Sequence, residues 1–171
     1  GGKTISEADP EISEAIDFTR FYASSAETID KDSSALGVVV VAPPWNFPYA
    51  IPMGGIVAAL VSGNSVIFKP APETVLVGWE LVNQLWEAGV PKSVLHFLPT
   101  EDNETGKYLI THKDVDTVVL TGSYETALLF KKWKPTLSLL AETSGKNSIV
   151  VTASADIDTA VKDIIDSAFG H

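Results

Sequence analysis

The chain has 171 residues, of which 45% are hydrophobic and 20% charged, a balance typical of a globular protein and not of a disordered one. Its formal net charge of −10 excludes the basic surface with which proteins bind nucleic acids. The sequence has no cysteine, which excludes disulfides and thiolate metal sites and fits a reducing, cytoplasmic compartment. The three histidines lie far apart in the sequence, so no metal site is predicted.

An uncharged stretch between Asp32 and Lys69 looks at first sight like a membrane span. Prolines at positions 43, 44, 48 and 52 interrupt it. Its longest apolar run is far shorter than the ~20 residues that a span needs. We therefore predict two buried elements joined by a rigid turn, and no membrane span.

Helices and strands are predicted to alternate along the chain. Residues around 10–28 carry apolar side chains at helical spacing. Residues 36–41 form a short β-branched run, typical of a strand that is buried on both faces of a parallel sheet. Further helices are predicted at residues 50–61, 74–88, 103–112, 124–133 and 156–169. Further strands are predicted at residues 65–68, 94–98, 115–120, 136–140 and 148–151.

This alternation, with short connections, predicts an α/β fold with a doubly wound, mostly parallel sheet. The sequence shows no internal repeat and no linker. We therefore expect residues 1–171 to form a single domain. Residues 1–35 would contribute a leading helix, and residues 36–171 would contribute the alternating core.

Polar residues follow several of the predicted strands. Asn46 comes after the first strand, Lys69 after the second, Gly122 and Ser123 after the fourth, and Glu142 after the fifth. In a parallel sheet these positions meet at one edge, where ligands bind. An amide donor and a carboxylate at that edge are groups that stabilise an oxyanion and activate water.

Each of these residues also has a plainer structural interpretation. Asn46 and Ser123 are residue types that cap helices, and from spacing alone capping is the favoured interpretation of both. Lys69 and Glu142 are residue types that usually lie in water at the end of a strand or in a loop. Neither the G-x-G-x-x-G motif nor a phosphate loop of the P-loop type is present.

Four motifs, taken together and in this order, resemble the cofactor-binding part of the aldehyde dehydrogenase superfamily. They are Pro44-Trp45-Asn46-Phe47-Pro48, the segments 63–70 and 120–123, and Glu142-Thr143-Ser144-Gly145-Lys146-Asn147. The start Gly2-Lys3-Thr4, the triplet Ala141-Glu142-Thr143 and the final segment 167–171 resemble the pyrroline-5-carboxylate dehydrogenase branch, and above all the dehydrogenase part of bacterial bifunctional proline-utilisation proteins. The resemblance implies a Rossmann-like NAD-binding domain.

The resemblance also implies a reaction and residue roles. The parent enzyme would oxidise L-glutamate γ-semialdehyde to glutamate with NAD, as a homo-oligomer, and a bifunctional parent would carry FAD in a separate proline dehydrogenase domain. Asn46 would donate to the oxyanion, and Glu142 would be the general base that activates water. The remaining residues would contact the cofactor. Pro44 and Trp45 would line its nicotinamide side, and Lys69 would bind its adenosine ribose. Gly122 and Ser123 would meet its pyrophosphate, and Thr143 would make a further contact.

The sequence departs from the family pattern at several points. Many relatives place a glutamate three residues after the lysine, where this chain has Pro72 followed by Glu73. Ala127 and Ser144 stand where relatives often have glycine. The catalytic cysteine of the family is missing, so we expect the chain to be an inactive fragment that lacks the catalytic-cysteine domain. The alternatives are another aldehyde dehydrogenase, such as one for succinic semialdehyde, or a non-catalytic binding or scaffold protein.

Overall fold

The computed structural model describes residues 2–30, 32–101 and 103–169. It contains a five-stranded, fully parallel sheet flanked by helices, which confirms the predicted doubly wound α/β class. The strands are β1 (Val38–Ala42), β2 (Ser65–Phe68), β3 (Leu95–Phe97), β4 (Thr117–Gly122) and β5 (Ser138–Thr143). Their order across the sheet is β3-β2-β1-β4-β5.

Besides a short 3₁₀ helix at Pro72–Thr74, six α-helices connect and flank these strands in the described residues. They are α1 (Ile5–Ala26), α2 (Ala50–Val61), α3 (Val75–Glu87), α4 (Glu104–Thr111), α5 (Tyr124–Trp133) and α6 (Ile157–Phe169). None of them is long and apolar enough to cross a membrane. Gly170 and His171, which end the segment 167–171 used in the resemblance, lie outside the described residues.

The first helix begins earlier than the sequence pattern predicts. α1 starts at Ile5, and Pro10 lies inside it instead of in its first turn. The Glu7 carboxylate accepts a hydrogen bond from the Thr4 backbone N–H at 2.7 Å, and this satisfies one of the free amides at the helix start. The spacing of Thr4 and Glu7 marks this start in the sequence, but the apolar pattern alone placed the helix later.

β1 is the centre of the sheet and contributes side chains to a core on each face. Val39 and Val41 pack with α1, α2 and α3 on one face. Val40 and Ala42 pack with α4 and α5 on the other. Full burial of a valine side chain stabilises a fold by about 1.5–3 kcal/mol, so the β-branched run favours a position between two helical layers.

The predicted strand at residues 148–151 is wrong. These residues adopt no regular structure, and Val150 is 83% exposed. A strand needs a neighbour that satisfies its backbone groups, and no strand in the described ranges pairs with this segment. The helix that follows, α6, buries none of its side chains.

Candidate active site

The predicted site residues gather at the carboxyl edge of the sheet. β1 pairs with β2 on one side and with β4 on the other. The chain runs outward from β1 through β2 to β3 at one edge of the sheet, and then crosses to β4 and β5 on the other side of β1. Such a switch point is where open α/β sheets bind ligands. A cleft of about 620 Å³ opens there, a size that is ordinary for a small-molecule site. All the predicted site residues line it: Pro44, Trp45, Asn46, Lys69, Gly122, Ser123, Glu142 and Thr143.

Asn46 lies in the turn that joins β1 to α2. Its helix-cap interpretation is wrong, because α2 begins at Ala50 and its N-cap residue is Tyr49. The Asn46 side chain is half-buried and lines the cleft. Its amide makes no hydrogen bond within the described part of the chain. The neighbouring Trp45 is 52% exposed and also lines the cleft. The amide is therefore free to donate to an oxygen atom bound there.

Glu142 belongs to β5 itself and not to a loop after it, because β5 continues to Thr143. Its Cα partner in β4 is Thr121, and both residues line two cavities. One cavity is the cleft, and the other is an apolar space of about 480 Å³ between the sheet and helices α1 and α2. Glu142 is exposed, as the plainer interpretation expected. An exposed carboxylate between two cavities can accept a proton from water in either of them.

Lys69 follows β2 directly, and its backbone N–H donates to the Val41 carbonyl at 2.9 Å. Its interpretation as a solvated lysine is wrong, since the residue is only 6% exposed. The lysine stem passes beside α4, because a Cβ added at Gly106 would lie 3.7 Å from Lys69 Cε, an ordinary contact. Lys69 is the single cation among the described residues that line the cleft, and Glu73 lines it as well.

Ser123 does cap the helix that follows it. Its Oγ accepts a hydrogen bond from the Thr126 backbone N–H at 3.0 Å and lies 2.9 Å from Thr126 Oγ1. The capping interpretation is confirmed, and the cofactor contact stays a prediction. The first turn of α5 also carries Glu125, whose charge opposes an anion at this helix start.

Gly122 is a glycine that the fold itself does not require. An added Cβ would meet only Leu120 Cδ1 at 3.7 Å, an ordinary contact, and the φ angle of Gly122 is not positive. A glycine at the rim of a cleft, where no protein atom needs the space, leaves the backbone open to a ligand. This observation fits a dinucleotide, whose pyrophosphate lies against backbone amides at a strand-to-helix junction.

Thr121 and Ser144 also line the cleft, although no role was assigned to either from the sequence. Thr121 lies opposite Glu142 in the parallel pairing of β4 and β5. Ser144 donates its backbone N–H to the Gly122 carbonyl at 3.0 Å, which extends the pairing beyond β5. Both positions depend on which strands are neighbours and in which register. The alternation of residues along each strand did not contain that information.

Comparisons with known proteins agree with this geometry. The family model described as "Aldehyde dehydrogenase family" matches residues 1–171. Two curated relatives named 1-pyrroline-5-carboxylate dehydrogenase, from Oceanobacillus iheyensis and Staphylococcus epidermidis, are each 38% identical over 99% of this chain. The chain spans only 37% of the length of each relative.

Solved structures give the same result. Proline utilization A from Corynebacterium freiburgense aligns with a TM-score of 0.93 and 49% identity, over 99% of this chain and 18% of that protein. Proline utilization A from Bdellovibrio bacteriovorus aligns with a TM-score of 0.91 and 37% identity, over 99% of this chain and 20% of that protein. These comparisons confirm the resemblance that the four motifs indicated.

Proposed function

The chain belongs to the aldehyde dehydrogenase family, and we propose that it forms the NAD-binding portion of an enzyme that oxidises L-glutamate γ-semialdehyde to glutamate. The observation that carries this proposal is the cleft at the switch point. One cleft is lined by every residue to which the motifs assign a role. The substrate is proposed from the names of the relatives, which describe 1-pyrroline-5-carboxylate dehydrogenases and proline utilization A.

The residues of the cleft divide into two groups by their chemistry. Asn46 supplies an amide that donates a hydrogen bond to the aldehyde oxygen as negative charge develops there. Glu142 supplies a carboxylate that takes a proton from the water that releases the acid. Lys69, Gly122 and Ser123 hold the cofactor through an ammonium group, open backbone and the start of α5. NAD, when bound, accepts the hydride from the substrate.

The chain alone should not oxidise an aldehyde. The family reaction needs a thiolate that attacks the aldehyde carbon, and the sequence contains no cysteine. We therefore propose that the thiolate comes from a part of the parent enzyme outside these residues. NADH formation with glutamate semialdehyde should stay at the level of the enzyme-free control, and a saturable rate would contradict this mechanism for the chain.

Cofactor binding by the chain tests the proposal directly. Titration calorimetry with NAD, and with NADP in parallel, should show weak binding that Lys69→Met reduces further. Methionine preserves the apolar stem beside Gly106 and removes only the ammonium group. The matched control is Lys107→Met, because the Lys107 side chain is 43% exposed and does not line the cleft. An affinity equal in all three proteins would contradict the role of Lys69.

Substrate choice needs the longer enzyme that contains this chain. Its kcat/KM for glutamate semialdehyde should exceed that for succinic semialdehyde, in keeping with the names of the relatives. The opposite preference would leave the family assignment intact and overturn the proposed substrate.

A further inference from the structure

The carboxylate of Glu11 lies at the start of α2, although Glu11 itself belongs to α1. Its Oε1 atom accepts hydrogen bonds from the backbone N–H groups of Tyr49 at 2.8 Å and Ala50 at 3.2 Å. Glu11 is only 5% exposed. α2 has no side-chain cap of its own and no acidic residue in its first turn. Glu11 thus supplies the acceptor and the negative charge that a helix start favours.

Lys3 neutralises this buried carboxylate. Its Nζ atom donates to Glu11 Oε2 at 2.7 Å, and the Lys3 side chain is 8% exposed. The same Nζ atom lies 3.7 Å from the centre of the Phe47 ring, a cation–π contact. A buried charge is tolerated when it is paired and hydrogen-bonded, and here both conditions hold. The pair therefore contacts the turn at Phe47 and at Tyr49.

The residue just before these two contacts is Asn46. Its side-chain amide has no hydrogen bond of its own in the described ranges, so its position follows from the backbone of the turn. Phe47 is held by Lys3, and Tyr49 by Glu11. A displacement of about 1 Å in a group that contacts a reacting atom can lower a rate by about 10²-fold. Small changes in the turn would thus change catalysis.

We propose that Glu11 and Lys3 are positioning residues that hold the Asn46 amide in its donating position. This inference rests on the function proposed above, because it assigns Asn46 to the developing oxyanion. Neither Glu11 nor Lys3 lines the cleft. Glu11, in α1, acts through the backbone of Tyr49, and Lys3, just before α1, acts through the Phe47 ring.

The first test uses the chain itself and no enzymatic activity. In a two-dimensional ¹H–¹⁵N NMR spectrum, Glu11→Ala should shift or broaden the side-chain NH₂ signal of Asn46. Glu11→Gln preserves an acceptor for Tyr49 and loses only the charge, so its change should be smaller. The control Asp9→Asn removes an exposed carboxylate from the same helix and should leave the signal in place. An unchanged Asn46 signal in folded Glu11→Gln and Glu11→Ala would overturn the proposal. If Glu11→Ala does not fold, Glu11→Gln alone decides.

The second test is a double-mutant cycle in the longer enzyme, read as the rate of the first burst of NADH. Glu11→Ala should slow the burst about tenfold in the unsubstituted enzyme and less than about twofold in an Asn46→Ala background, since residues that act through one another are not additive. Equal slowing in both backgrounds would overturn the positioning role. If the unsubstituted enzyme forms no NADH, the proposed function fails. The NMR signal of the Asn46 side chain in the first test still decides whether Glu11 positions that side chain.

Discussion

Replacing Gly122 by alanine tests whether this glycine is needed for the stability of the fold or for the binding of a ligand. In the free protein the added methyl group meets only Leu120 Cδ1, at 3.7 Å. The backbone of Gly122 is not in the left-handed region, so alanine fits without strain. A Gly-to-Ala change at such a position stabilises a protein by about 0.4–1 kcal/mol through the unfolded state. We expect the free energy of unfolding to stay the same or to rise slightly.

The effect on cofactor binding should be opposite in sign. Gly122 and Leu120 both line the cleft and lie on the same face of β4. A methyl group between the backbone and a closely packed pyrophosphate would cost about 1–3 kcal/mol, as overpacking does in protein cores. At about 1.4 kcal/mol for each factor of ten, the Kd for NAD should rise about 5- to 150-fold.

The assay combines urea denaturation with calorimetric titration of NAD on the same samples. Gly106→Ala provides the contrast, because its added Cβ would lie 2.7 Å from the Glu101 carbonyl oxygen. That variant should lose stability through backbone overpacking. The reasoning is refuted if Gly122→Ala lowers the free energy of unfolding by more than about 1 kcal/mol while the Kd for NAD stays the same.

Three further predictions concern other parts of the chain. In the longer enzyme, Asn46→Ala should slow the NADH burst by about 10²–10³-fold, whereas Glu142→Gln should preserve the burst and slow the turnover that follows. Rapid-mixing absorbance of NADH measures the burst and the later turnover separately. Asn64→Ala removes the buried acceptor of two backbone N–H groups and should lower the free energy of unfolding by about 2–4 kcal/mol, measured with urea. The hydrogen bond from the Thr159 N–H lowers the pKa of Asp156 below 3.8. The stabilisation of α6 by the Asp156 carboxylate is therefore complete above pH 3.8 and is lost as the pH falls through the lowered pKa. Circular dichroism should show this loss of helix in the unsubstituted chain, and Asp156→Asn should lack it.

Local sequence signals located several elements well. The bounds of α2, β2 and α5 match their predictions, because each has a plain start or stop signal. Gly63, for example, adopts a positive φ of 83° just after α2, the conformation in which glycine ends helices. The positions of the site residues at strand ends followed from the same local signals and from the general geometry of parallel sheets.

Other features depend on contacts between distant residues. The cap of α2 was misassigned to Asn46 because the actual acceptor, Glu11, comes from another helix 38 residues before Tyr49. β5 extends past Glu142 because it pairs with β4 along that length. The segment 148–151 has the composition of a strand but no partner strand among the described residues. In each case the deciding contact is tertiary, and local propensity does not contain it.

The strand order has a consequence for how the chain folds during synthesis. β1 pairs with β2, which follows it closely, and also with β4. Just before β4, the Asp116 carboxylate accepts a hydrogen bond from the Val38 N–H across 78 residues. At about 5–20 residues per second, several seconds pass between the emergence of β2 and that of β4. During this interval one edge of β1, a run of valines, has no partner, and such edges pair readily with other chains. The cleft forms only when β4 closes that edge, so an unpaired strand edge is exposed until just before the cleft is complete.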